Sequence, residues 1–279
     1  MHESILNRFY SQPLALELNS YLSIERILLE RSNGIKISAE EAKVWAASSP
    51  YGSGAKSTKT EAVIGIYGPI INRASGMAAM SGITDAQAMA SLIRAAADMA
   101  GVDAIKLDID SPGGEAVAAD PIVDAMSYAK SLKPVDAFVS GMSASLGFLI
   151  ASQAQSITAT KSSMIGSMSV MFARRIPSAE GSRYKLFSTG DKKLAFSGDE
   201  PLTDEHSSEI MRVAQQYHSI FMSYVSSGRG QSDVSSWFDG RVETAETALK
   251  LGWIDAIGSI HDSFQDAPQV MTTRDLKRR

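Results

Sequence analysis

The sequence predicts an α/β protein built on a mostly parallel sheet with covering helices. Three observations carry this. Short apolar runs, Ala62–Tyr67, Ala104–Ile109, Val135–Val139 and Ile157–Thr160, recur with helical stretches between them. Each run is bounded by glycine, proline or polar residues, and β-α-β alternation favours parallel pairing under covering helices. The intervening stretches carry capping signals and helical spacing rather than alternation.

Residues 1–60 read as a helical N-terminal extension and linker. Leu18 with Tyr21 and Leu22, and Ile24 with Ile27 and Leu28, have helical spacing. Ser38 and Glu41 match a capping box ahead of Val44 and Trp45. Residues 49–60 (SPYGSGAKSTKT) are polar and small, as a linker is. The globular part is expected over 61–262. Residues 70–84 read as a loop, and Asp85 caps a helix running to about Met99. Asp120 and Pro121 suit the cap and first turn of a helix to Leu132, which Pro134 stops. A helix after Ser145 ends near Gln153, and Tyr184–Phe187 reads as a strand. Thr203 caps a long helix ending at Gly228-Arg229-Gly230. Val234–Phe238 and Ala245–Leu251 are short helices, and Ile254–Ile257 is an edge strand. Residues 263–279 form a polar tail expected to be disordered, ending in a basic cluster (Arg274, Lys277, Arg278, Arg279).

Composition narrows the function. Net charge is −4 with no long basic run, which speaks against nucleic acid as a partner. There is no cysteine, so disulfides, thiol nucleophiles and thiolate metal sites are excluded. Residues 1–20 hold charges and no unbroken apolar core, and no apolar stretch is long enough to span a bilayer, so a cytoplasmic protein with no membrane association is expected. Asp108, Asp110 and Asp120 have no histidine at ligand spacing, so neither a metal nor another cofactor is expected.

The chemistry gathers around 139–151 (VSGMSASLGFLIA), where an apolar strand runs through small residues into an apolar helix. A serine at such a turn has unpaired backbone N–H groups of a helix start beside it, suited to hold an oxyanion. Upstream, Pro112-Gly113-Gly114 allows close backbone approach, but Gly-x-Gly-x-x-Gly is missing, so phosphate binding is disfavoured. Of the four histidines, His2, His206, His218 and His261, none falls between 61 and 200. A lysine can replace histidine as base when burial lowers its pKa, and Lys192-Lys193 occupies a turn after a strand.

These pieces stand in one order: LDIDSPGGE (107–115), ASLGFLIA (144–151), GSMSV (166–170), GDKK (190–193), SGRG (227–230) and Gly240-Arg241-Val242. Together, over 61–262, they resemble the signal peptide peptidase A family of serine proteases. That family includes the capsid-assembly (head maturation) proteases of phages and prophages, and it has a Clp/crotonase-like fold. The resemblance implies Ser145 as nucleophile, Lys193 as general base and Ser167 as the serine that orients the lysine. It implies an oxyanion hole from Gly113, Gly114 and the Leu146 N–H. Leu146, Ser169 and Leu194 depart from the family pattern, and a shift of one residue would make Lys192 the base.

The chain shows no anchor, and with its N-terminal extension this places the resemblance in the phage branch. The implied substrates are scaffold and capsid proteins, the implied assembly is a homo-oligomeric ring, and the implied place is the host cytoplasm or an immature capsid. Three competing readings remain. One is a signal-peptide-degrading or general peptidase of the same family. Another is a catalytically inactive capsid-assembly protein, supported by Leu146 and Ser169. The third is a crotonase-like acyl-CoA enzyme with Glu115 as carboxylate base.

Overall fold

A computed structural model describes residues 10, 12–22, 25, 61–74, 83–173, 188–189, 191–196, 201–260, 263 and 270–271. In chain order, the N-terminal part supplies a strand β1 (Leu14–Leu16), followed by a helical turn over 18–22. Then come β2 (Glu61–Tyr67), β3 (Ile70–Ile71), β4 (Thr84–Asp85) and helix α1 (Ala86–Asp98). Next are β5 (Ala104–Ser111), β6 (Gly113–Glu115), α2 (Ala119–Leu132) and β7 (Val135–Ala144). Helix α3 (Leu146–Ser152) leads to β8 (Ile157–Ala159) and β9 (Met164–Gly166). The rest is a 3-10 turn (Asp191–Leu194), the long α4 (Asp204–Arg229), a 3-10 turn (Ser235–Trp237), β10 (Val242–Thr244), α5 (Ala245–Lys250), β11 (Ala256–Ile257) and β12 (Val270–Met271).

The larger sheet runs β10-β9-β7-β5-β2-β12, with β8 beside β7 and β11 beside β8. All its pairings are parallel except β9 with β10, so the α/β architecture with a mostly parallel sheet is as expected. A smaller sheet orders β1-β6-β3-β4. One continuous core joins β2, β5 and β7 to apolar residues of all five helices, with Phe138, Phe148 and Trp253 fully buried. Each large apolar side chain so buried contributes about 1.5–3 kcal/mol. None of the helices among the described residues is long and apolar enough to cross a membrane.

Capping chemistry sets two helix starts as expected. The Asp85 carboxylate accepts from Ala88 N at 2.9 Å, and Thr203 Oγ1 accepts from His206 N at 3.1 Å. Gly230 ends α4 in the left-handed region at φ 61°.

Several expectations need correction. Asp120 is not the cap of α2; the helix follows a 3-10 turn and starts at Ala119 with Ala118 at its cap, two residues earlier, and the Asp120 carboxylate instead accepts from Tyr224 Oη at 2.7 Å. The stretch 70–84 contains two short strands, β3 and β4, which pair in parallel. The N-terminal extension, expected to be helical, includes β1, which pairs antiparallel with β6. The tail expected to be disordered supplies β12, parallel to β2. Its two residues extend a sheet edge, so pairing rather than apolar pattern accounts for them. The expected linker 49–60 and strand Tyr184–Phe187 lie outside the described residues.

Candidate active site

β5 and β7 build the floor of the site. Between the pairs Ile109–Val139 and Ser111–Ser143, β7 carries three residues against one on β5, so β7 bulges, and the Asp110 carboxylate accepts from Met142 N at 2.9 Å to hold the offset. Beyond the bulge, Ser111 pairs with Ser143 and the chain turns through Pro112 into β6.

Ser145 stands between β7 and α3 at φ 53° and ψ −118°. It is 3% exposed. Its N–H donates to Gly166 O at 2.7 Å, and its carbonyl accepts from Leu149 N at 2.9 Å. The backbone is thus pinned to β9 on one side and to the helix on the other. Ser145 Oγ donates to Ser169 O at 3.4 Å. Ser167 adopts a positive φ of 48°, and its N–H donates to Arg241 O. Ser145 and Ser167 are the two non-glycine residues with positive φ among the described residues. Such a conformation costs about 1–3 kcal/mol, and it persists where the surroundings force it, often at functional sites.

Gly113 and Leu146 meet beside Ser145. At φ 101°, Gly113 would place a Cβ 3.0 Å from Leu146 N and 2.1 Å from Ala15 O. Only glycine allows that approach. The Gly113 N–H donates to Ser111 Oγ at 3.2 Å. Gly114 has a different role: its missing Cβ would fall 1.8 Å from Ile70 O, so it lets β3 pack close in the small sheet. The Leu146 side chain is fully buried in the main core, so its departure from the family pattern leaves the backbone N–H beside Gly113 and takes the side chain elsewhere.

The two lysines separate. Lys192 is 64% exposed and pairs with Glu209 of α4 at 3.5 Å. Arg212 first, with Lys192 adding to it, pulls the Glu209 carboxyl down to about 2. Lys193 lies on the same 3-10 turn, and its side chain is outside the described part of the structure. Just beyond the turn, Phe196 meets Phe172 at 5.1 Å between ring centroids.

Other candidates have separate partners. His206 Nδ1 lies 3.2 Å from Pro201 O, and His218 packs edge-on against Phe238. Glu115 is 1% exposed; its oxygens accept from Asn72 N at 2.9 Å and Gln12 Nε2 at 3.2 Å, tying β6 to β3 and to the N-terminal segment. The SGRG stretch packs helices: a Cβ on Gly228 would lie 2.4 Å from Ser152 O, so α4 abuts the end of α3. Arg241, in the Gly240-Arg241-Val242 turn, fixes Ser167 through its carbonyl, and β10 follows it onto β9.

The family model for Peptidase family S49 matches residues 128–273, more than half the chain. The chain belongs to peptidase family S49. The model for Clp protease matches residues 59–172, so the Clp-type fold expected for this S49 member is met. Capsid assembly protease C of Escherichia phage lambda is 25% identical over 281 residues, covering 93% of this chain and 64% of that protein. Protease 4 of Haemophilus influenzae is 29% identical over 225 residues, covering 76% of this chain and 35% of its own length. The S49 chain therefore spans less than two thirds of either relative. A solved structure of a membrane-bound stomatin-specific protease with a substrate peptide aligns at a TM-score of 0.47 and 19% identity, covering 76% of this chain and 80% of that one.

Sequence reasoning missed what crosses this site. β1 lies between β6 and Met171, which it meets at Leu14. Leu14, Leu16 and Leu18 after Pro13 carry a period-two signal that could have revealed it.

Proposed function

We propose that this S49 chain is a serine endopeptidase using Ser145 as nucleophile, Lys193 as general base and Ser167 as the residue that positions the lysine. The observation that carries the reading is the strained pair: Ser145 and Ser167 both hold a positive φ, and Gly166 O binds Ser145 N.

In this mechanism Ser145 Oγ attacks the scissile carbonyl while its proton passes to the neutral Lys193 amine. The oxygen of the tetrahedral intermediate takes hydrogen bonds from the N–H groups of Leu146 and Gly113. The intermediate collapses, the C–N bond breaks, and the lysine returns the proton to the leaving amine. Water, deprotonated by the same lysine, then hydrolyses the acyl-enzyme. A lysine that works this way is held below its ordinary pKa by desolvation. The exposure of Lys192 and its pairing with Glu209 favour Lys193 for the role.

The substrates are scaffold and capsid proteins cut during phage head maturation, and the working form is a homo-oligomeric ring. The 93% coverage by a phage capsid assembly protease supports this over a signal-peptide-degrading role. The occupied oxygens of Glu115 speak against the acyl-CoA reading, and the buried Leu146 side chain weakens the inactive one. The test is cleavage of a casein or peptide substrate by wild type and by Ser145→Ala. Cleavage lost in the variant supports the reading; equal cleavage by both overturns it.

A further inference from the structure

We infer that residues 13–17 are an inhibitory strap, which binds across the nucleophile in the manner of a substrate and must leave before a peptide can enter. This rests on the peptidase reading for its consequence, but on separate geometry.

The strap is hydrogen-bonded on both edges. On one side β1 runs antiparallel to β6, with Leu14 opposite Glu115, Ala15 opposite Gly114 and Leu16 opposite Gly113. Glu17 N donates to Pro112 O at 2.8 Å, and Ala116 N donates to Pro13 O at 3.0 Å, so the ladder extends one residue past each end. On the other side, Leu14 and Met171 exchange both backbone bonds at 2.9 Å. This second edge is a single bridge, two residues along the chain from Ser169, whose carbonyl accepts from Ser145 Oγ, while Leu16 lies opposite Gly113, beside the Leu146 nitrogen. An extended peptide added between two edges is read through its main chain, with side-chain pockets setting preference.

The side chains divide as a bound peptide's would. Ala15 is fully buried in the main core, opposite Gly114, and its carbonyl lies where a Gly113 Cβ would be. Leu14 and Leu16 are buried on the other face in a satellite cluster with Tyr21, flanked by Tyr10, Met171 and Ala173. The Glu17 carboxylate accepts from the N–H groups of Asn19 and Ser20, which starts a helical turn and ends the strap. The peptide that replaces the strap is thus extended, small at the Ala15 position and apolar at the two flanking positions.

The reacting groups are also at rest. The Gly113 N–H is held by Ser111 Oγ, and the Ser145 hydroxyl points its proton at Ser169 O. A cleft open only part of the time binds peptide more weakly by its open fraction.

The absence of cysteine makes the test clean. In the full chain carrying Ser145→Ala, Leu14→Cys and Met171→Cys tie the strap down on oxidation; a hydrogen-bonded antiparallel pair spans about 5.5 Å between Cα atoms, within disulfide reach. A second full-length chain carries Ser145→Ala with Leu14→Asp and Leu16→Asp, which release the strap. Binding of a fluorescent peptide with the sequence Gln12–Glu17 is read by anisotropy. The released chain is expected to bind at least about tenfold more tightly than the oxidised chain, as a closed fraction dictates. Equal binding by the two, or no binding by a folded released chain, overturns the strap. With Ser145 restored, a released chain that binds the peptide but leaves protein substrates uncut keeps the strap and overturns the peptidase reading instead.

Discussion

Gly113 and Leu146 converge beside Ser145: a Cβ on Gly113 would lie 3.0 Å from the Leu146 nitrogen. Under the proposed mechanism these two residues, far apart in sequence, supply the N–H groups for the oxyanion, and the Gly113 N–H leaves Ser111 Oγ to do so. Gly113→Ala strains a φ of 101° and drives a methyl toward Ala15 O. Alanine keeps the N–H, so the variant acts by shifting that donor off the oxyanion position, and a donor fully displaced lowers kcat by about 10²–10³-fold. Steady-state kinetics of the folded variant checks this; an unchanged kcat would remove Gly113 from the site.

Much of this was legible. The strand-turn-helix at Ser145 follows from an apolar run, small residues and a second apolar run, and the α1 and α4 caps follow from Asp85 and Thr203. The positive φ at Ser145 and Ser167 was not legible, because serine has no preference for that region; the pinning by Gly166 O and Arg241 O imposes it. β1 was hidden for a related reason. Leu14–Leu16 has no helical or strand partner nearby in sequence, and its pairing partners lie at 113–115 and 171. Asp120 misled because its carboxylate, although at the first turn of α2, is used by Tyr224.

Arg229 forks onto Asp255, with hydrogen bonds of 2.9 and 2.7 Å, and Ile157 N adds a third at 2.8 Å. Burial alone would raise the Asp255 pKa; the Arg229 bonds outweigh it, and the net direction is down. A lowered carboxyl pKa gives stability that is present above the ordinary carboxylate range and lost as pH falls through the folded value. Because Asp255 is 41% exposed, Arg229→Ala is expected to cost about 1–2 kcal/mol near neutral pH, in the lower part of the range for charged bonds. Urea denaturation at neutral and acidic pH should show the gap narrowing in acid. A gap independent of pH contradicts the pairing.

Asp108 behaves in the opposite sense. It is 1% exposed on β5, and burial pushes its carboxyl up despite the Tyr67 hydroxyl donating to Oδ2 at 2.5 Å. A raised carboxyl pKa leaves stability full below the ordinary value and loses it as pH rises through the folded one. Asp108→Asn removes that loss. The melting temperature of the variant relative to wild type should therefore climb as pH rises from about 4, the ordinary carboxylate value, toward neutrality. A difference that stays constant across that interval contradicts a buried, titrating Asp108.

The central claim is that Ser145 is a nucleophile activated by Lys193. The most direct measurement is the rate of fluorophosphonate modification in the full chain with the strap released by Leu14→Asp and Leu16→Asp, mapped by mass spectrometry across pH. The adduct is expected on the peptide containing Ser145, with a rate that rises with pH as the lysine loses its proton. Adding Lys193→Ala should slow it by about 10²–10⁴-fold, the usual worth of a general base, while Lys192→Ala leaves it unchanged. Modification that survives Ser145→Ala, or that falls with Lys192→Ala and not with Lys193→Ala, would contradict the account.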